Sequence, residues 1–183
     1  MTLQSPRERF QQHKIGNHIS AHDGTRTTFA RMTPGFNVRV YGILLITGPA
    51  DGGRHVLVAD ELIKGQRITK FPGGGLEYGE GPKDCLVREV REEIGVEAFD
   101  VQHFYTTDFF QESAFRPGQQ IISIYYTFRV ADPLAIPVST VPFDFKQSVK
   151  DEESFRWLEL SRAKADDATL PIDRVVLGML LAH

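Results

Sequence analysis

Cysteine is nearly absent. Cys85 is the only one in 183 residues, which excludes an intrachain disulfide and any cysteine-built zinc site. Long hydrophobic runs are missing as well. The longest uninterrupted aliphatic stretch is Ile43–Ile46, far short of the ~20 apolar residues a membrane span needs. There is no basic excess: 21 Lys and Arg stand against 24 Asp and Glu, a net charge of −3. That balance argues against a general binder of nucleic acid polymers, but leaves room for a nucleotide met through a metal ion. Residues Met1–Lys14 carry Arg7, Arg9 and Lys14 without an apolar core, so they do not read as a secretory leader. The expectation is a soluble, cytoplasmic protein without a membrane partner. With 41% hydrophobic and 25% charged residues, the chain can bury a core, and its length suits one folded domain.

Residues 1–35 are polar and aperiodic and read as an N-terminal arm, flexible or dimer-forming, with a short helix near Pro6–His13. Residues 36–183 read as the domain proper. Phe36–Thr47 alternates and then turns continuously apolar, as a strand entering a core does. His55–Ala59 follows a Gly/Pro/Asp turn cluster and pairs with it as a hairpin. Ile68–Phe71 is a short strand, and Pro72–Gly75 a glycine loop. Pro82–Ile94 is the strongest helix. Proline suits its first position, Leu86, Val90 and Ile94 form an apolar stripe, and Gly95 is placed to close it in a left-handed cap. Asp100–Asp108, Gln120–Val130 and Ser154–Leu158 read as strands, Asp132–Pro142 as an exposed connection, and Asp173–Ala182 as a C-terminal helix with Asp173 as its cap.

The chemistry concentrates in one segment. Gly74–Asp100 holds eight acids and three bases. Glu89, Glu92 and Glu93 stand at i, i+3 and i+4, so they share one helical face. Three crowded carboxylates repel one another unless a counter-charge is present, and hard divalent cations that prefer oxygen ligands supply one. Arg88 lies four residues before Glu92 and can brace it. The preceding glycines let backbone, carbonyls included, approach a ligand closely.

The run from Gly74 through Glu80, Arg88, Glu89, Glu92, Glu93 and Gly95 to Val96 resembles the signature of the Nudix hydrolases. That signature is Gly, five residues, Glu, seven residues, then Arg-Glu-aliphatic-any-Glu-Glu-any-Gly-aliphatic, and every defined position matches. The strand pattern extends the resemblance to roughly residues 36–182. It implies an α/β (α+β) fold, an α/β/α sandwich around a mixed sheet. It implies Glu89, Glu92 and Glu93 as metal ligands, with Glu89 or Glu92 also activating water. Arg88 would orient the carboxylates, Glu80 would support the metal shell, and the carbonyl of Gly73 or Gly74 would be a backbone ligand. The implied cofactor is Mg2+, with Mn2+ as the alternative. The implied reaction is hydrolysis of a diphosphate linkage in a nucleoside diphosphate joined to another moiety, a nucleotide sugar or a (deoxy)nucleoside triphosphate by preference. The partner is then a small nucleotide, and a homodimer is an option by analogy.

Members of the family often draw a further acid from outside this segment. Glu112, Glu152 and Glu153 are the candidates, with Glu153 preferred for a catalytic role. Phe110 and Phe115 are the best aromatic faces for stacking on a base, and Arg116 is placed to meet a phosphate or sugar. The alternative function is a non-catalytic module of the same fold that senses a nucleotide. Such modules usually lose glutamates that are all present here. An isoprenoid diphosphate isomerase would need its own acid–base cysteine, whereas Cys85 sits inside the signature helix.

Overall fold

The central element is a 13-residue strand, β1 (Gly35–Thr47), whose side chains alternate between two apolar clusters. In the computed structural model, residues 35–48, 52–145 and 153–182 are described, and all of them belong to one compact unit. Residues 1–34, with the expected short helix, and Glu152 lie outside the described residues. No described helix is long and apolar enough to cross a membrane.

Along the chain follow β2 (Arg54–Ile63), β3 (Gln66–Lys70), β4 (Gly73–Gly75), α1 (Pro82–Glu93), β5 (Phe99–Thr106), β6 (Gln119–Arg129), β7 (Glu153–Glu159) and α2 (Pro171–Leu181). The seven strands form one sheet with the path β3-β2-β1-β6-β5. β4 is added on β1 and β7 on β2. β1 and β6 run parallel from Gly35↔Gln119 to Leu44↔Phe128, and the other pairs are antiparallel. The sheet is therefore mixed.

Period-two alternation puts Val40 and Leu44 on one face and Tyr41 and Ile43 on the other. On the first face α1 docks, burying Cys85, Leu86 and Val90 against Leu57, Tyr126 and Phe128. On the second, α2 buries Ile172, Val176, Leu177 and Leu180 against Tyr41, Ile43, Val56, Phe71 and Tyr125. Two helices on opposite faces of a mixed sheet make the α/β/α sandwich.

The helix ends follow from local chemistry. Gly81 is extended (φ −84°, ψ 160°), Pro82 opens α1 without an N–H to satisfy, and the Asp84 carboxylate accepts from the Gly81 N–H at 3.3 Å. Gly95 adopts φ +79° and donates to the Arg91 carbonyl at 3.1 Å, the left-handed stop its position suggests.

Three local expectations change. The glycine run is a strand, not a loop: Gly73–Gly75 pairs with Tyr41–Arg39. β2 extends past Ala59 to Ile63 because Asp60, fully buried, is satisfied there. It accepts from Thr69 Oγ1 at 2.6 Å, Arg156 Nε at 2.7 Å and the Phe143 N–H at 3.1 Å. Asp173 does not cap α2. Leu170 is the N-cap residue, and Asp173 is buried against the sheet, where it accepts from the Tyr125 hydroxyl at 2.7 Å.

Candidate active site

Everything in the site hangs on how β4 and α1 meet. Gly73 sits at φ +130°, and a Cβ there would lie 2.3 Å from the Val40 carbonyl oxygen. Only glycine allows so close an approach to β1. A Cβ on Gly74 would lie 2.2 Å from Glu89 Oε1, so the Glu89 carboxylate occupies the space that a side chain at Gly74 would fill.

Arg88 organises the outer carboxylates. Its guanidinium takes Glu80 through both oxygens (Nη2 to Oε1 2.8 Å, Nε to Oε2 3.1 Å). Nη1 reaches Glu89 at 3.0 Å and Glu92 at 3.4 Å, and Nη2 reaches the Gly75 carbonyl at 3.1 Å. The fork shape of arginine makes such multiple engagement possible. Glu80, bonded to Arg88, is held down at about 2. Glu89 moves the other way: burial and the neighbouring Glu93 raise it, and Arg88 opposes them. Burial likewise pushes the Cys85 thiol up to about 12, so it is no nucleophile at neutral pH.

A second carboxylate group lies deeper. Glu61 on β2, Glu93 at the end of α1 and Glu153 on β7 each present an oxygen within 4.8 Å of the others. Burial raises Glu153 well above the ordinary carboxylate range, helped by Glu93 and by a hydrogen bond with Glu61. Lys70 is set against the group. Its ammonium donates to Glu61 Oε1 at 2.7 Å and to the Gly73 carbonyl at 2.9 Å, and lies 3.9 Å from Glu93 Oε1. Burial alone would lower the Lys70 pKa, but Glu93 and Glu61 outweigh it and the net direction is up. Glu93 in turn accepts from the Gly73 N–H at 2.9 Å. The atoms that could ligate a metal, the carboxylates and the Gly73 carbonyl, are all oxygens and mostly anionic, the kind that suits a hard divalent cation.

A cavity of about 270 Å³ opens on the α2 face, lined among others by Arg39, Tyr41, Lys64, Lys70, Phe115, Arg116 and Asp173. Lys70 thus belongs both to this cavity and to the deep carboxylates. Asp173 is 1% exposed, and its Oδ2 is buried without a hydrogen-bond partner. Burial pushes its carboxyl up to about 7, against the pull of the Tyr125 hydroxyl.

The structure thus brings together Arg88, Glu80, Glu89 and Glu92, and separately Gly73, Glu93 and Glu153. Phe115 and Arg116 line the cavity, but Phe110 is 70% exposed and does not. Glu112 also lines it, and its Oε1 accepts from the Gly118 N–H within its own loop. Sequence reasoning missed Glu61, Lys70, Arg39 and Tyr41. A signal existed: Asn37, Arg39 and Tyr41 alternate along β1, which marks a face that is not simply apolar.

Comparisons with known proteins agree with this architecture. A family model described as the NUDIX domain matches residues 37–177. An RNA pyrophosphohydrolase of Teredinibacter turnerae is 41% identical over 70 residues, which is 38% of this chain and 37% of that protein. Another, from Nitratiruptor sp., is 47% identical over 32 residues, 18% of this chain and 21% of that one. The chain therefore matches little more than a third of the first relative's length and about a fifth of the second's. Among solved structures, the E. coli ORF135 protein has a TM-score of 0.57 at 21% identity, covering 81% of this chain and 91% of its own. A MutT structure from work on Aliivibrio salmonicida and Vibrio cholerae gives 0.55 at 20% identity, covering 80% and 98%. At such identities the likeness is one of fold. The family match takes in most of the chain, including β4, α1 and the carboxylates they gather, and by it this protein belongs to the NUDIX domain family.

Proposed function

We propose that this protein is a pyrophosphohydrolase that cleaves a diphosphate linkage in a nucleotide, with Mg2+ or Mn2+ as cofactor. One observation carries the reading. Carboxylates crowded at the β4–α1 junction adjoin a cavity lined by Arg39, Lys64, Lys70 and Arg116, and Lys70 is common to both. Such a cavity suits a polyphosphate, and such carboxylates suit the cation that accompanies one.

Glu89, Glu92 and Glu93 would hold the divalent ion, with Glu80 fixing Arg88 behind them. Bound there, the ion would neutralise the phosphate charge and ease deprotonation of water. The chain's own residues do the rest. Arg88 keeps Glu89 and Glu92 in place. Glu89, already raised by burial, is suited to take the proton of the attacking water. Water oxygen bonds to phosphorus, the bridging P–O bond breaks, and the products are a nucleotide and a phosphorylated second moiety. Glu153 would contribute its buried carboxyl to the deep side, beside Glu61 and Glu93. Phe115 and Arg116 face the rest of the substrate.

Nucleotide sugars and (deoxy)nucleoside triphosphates remain the preferred substrates. RNA carrying a pyrophosphate linkage joins them because two curated relatives carry the name RNA pyrophosphohydrolase. The test is a panel of these substrates, together with ADP-ribose and dinucleoside polyphosphates, run with Mg2+. Turnover of one class should fall at least ~100-fold in Glu92→Gln and Glu93→Gln. Undiminished turnover in both variants refutes the assignment. Binding that raises the melting temperature without any turnover would establish the sensing module instead.

A further inference from the structure

The deep carboxylate group already contains a cation. Lys70 is the last residue of β3 and pairs with Ala59, while Glu61 pairs with Ile68. Glu61 and Lys70 are therefore diagonal neighbours on one face of the ladder, within reach of a long side chain. Two residues beyond Lys70, Pro72 turns the chain so that the Gly73 carbonyl comes back within 2.9 Å of Nζ. The side chain is 3% exposed. An ammonium has three donors and no acceptor. Here two are taken by Glu61 and the Gly73 carbonyl, and Glu93 lies at 3.9 Å. The Tyr41 ring centroid lies 5.8 Å away, within range of a cation–π contact. The Gly73 unit is thus tied at both ends to one ion pair, its N–H to Glu93 and its carbonyl to Lys70.

We propose that Lys70 is a built-in cation: its ammonium permanently fills the position formed by Glu61, Glu93 and the Gly73 carbonyl. Divalent ions then load only on the outward side, at Glu89, Glu92 and the remaining oxygens of Glu93. The inference rests on the reading of these carboxylates as metal ligands, and it changes the expected role of the Gly73 carbonyl from metal ligand to lysine acceptor. Charge gives the reason. The ammonium and a divalent ion on the same oxygens would repel each other within hydrogen-bonding distance. The lysine is tethered and cannot diffuse away, and its carbon stem fills space that water would otherwise enter. It also lines the cavity, so it presents one fixed positive charge there without any metal being loaded.

The test counts ions rather than turnover. Mn2+ binding to the full chain, followed by electron paramagnetic resonance or calorimetry, is compared between wild type and Lys70→Met. The variant should take up a further Mn2+ ion per chain, and Mg2+ should raise its melting temperature more than it raises that of the wild type. Equal, non-zero stoichiometry in the two proteins overturns this inference alone. No Mn2+ binding to either overturns the metal reading of the carboxylates, and this inference with it. A second measurement needs no variant. Nitrogen-detected magnetic resonance of lysine ammonium groups should show one slowly exchanging signal that persists at saturating Mg2+. Its loss on adding Mg2+ would mean that the metal displaces Lys70, and would overturn the proposal.

Discussion

Asp173 shows how a single side chain can be expensive to keep. It accepts a hydrogen bond from Tyr125 with one oxygen and leaves the other buried and unmatched, which penalises the ionised form. Its pKa is raised to about 7 in the fold, whereas in the unfolded chain it takes an ordinary carboxylate value near ~3.9. The native state therefore binds its proton more tightly than the unfolded state. Stability falls as pH rises from about 4 through about 7 and is level beyond. This is the reverse of a salt-bridged carboxylate. Asp173→Asn should flatten that slope, shrinking the loss of unfolding free energy between pH 5 and pH 8 by on the order of a few kcal/mol. Urea titrations of both proteins at the two pH values measure it, and parallel losses would count against the account.

At this same scale the sequence was only partly readable. Glu80, Arg88, Glu89, Glu92 and Glu93 are close in the chain, and helical geometry alone puts the last three on one face. Glu61, Lys70 and Glu153 come from three strands, and their meeting depends on the pairings of β2 with β3 and β7. No local pattern announces it. Asp173 looked like a cap because aspartate near a helix start usually is one. Its true setting depends on Tyr125, 48 residues earlier.

Among elements, the joint between β4 and α1 is the most exacting. A three-glycine run carries no pattern to separate turn from strand, so the sequence suggested a loop. Its identity as a strand rests on β1, which it approaches too closely for any side chain at Gly73. Helix α1 was legible almost to its ends because its stripe, its proline and its terminal glycine all agree. Gly74→Ala probes the joint. The new methyl would need the space of the Glu89 carboxylate and should swing that group away. Turnover should fall by roughly 100-fold, the scale of an ångström-sized misplacement, and Mg2+ affinity should weaken. The circular dichroism spectrum should stay that of the wild type. An unchanged rate would mean that Glu89 does not act from this position.

For the whole molecule, the sheet is shared by two cores that do not touch. Leu86 belongs to the α1 side and Leu177 to the α2 side, and both are fully buried. Truncating either to alanine should cost about 2–5 kcal/mol, and the double variant should lose nearly the sum, because the residues share no partner. The unfolding should nonetheless remain one transition. The single tryptophan, Trp157, packs on the α1 side. Its fluorescence should therefore report the Leu177→Ala loss at the same denaturant midpoint as the circular dichroism signal. Two separate midpoints would mean that the faces melt independently.

The long parallel pairing of β1 with β6 has a consequence in time. The β1 residues from Gly35 to Leu44 meet partners roughly eighty positions further along the chain, and contacts so distant in sequence form slowly. A ribosome that has just released α1 has already made every glutamate of the signature, yet β1 still lacks the strand it lies beside for most of its length. Ile43 and Leu44 then have α1 on one face, but no strand beside them, since β2 pairs only from Leu45 on. Their partners Thr127 and Phe128 come only once Gln119–Arg129 emerges. Nascent chains halted between residues 100 and 118 should thus be sticky and protease-sensitive despite carrying the whole signature segment, and protection should arrive abruptly once β6 has cleared the tunnel.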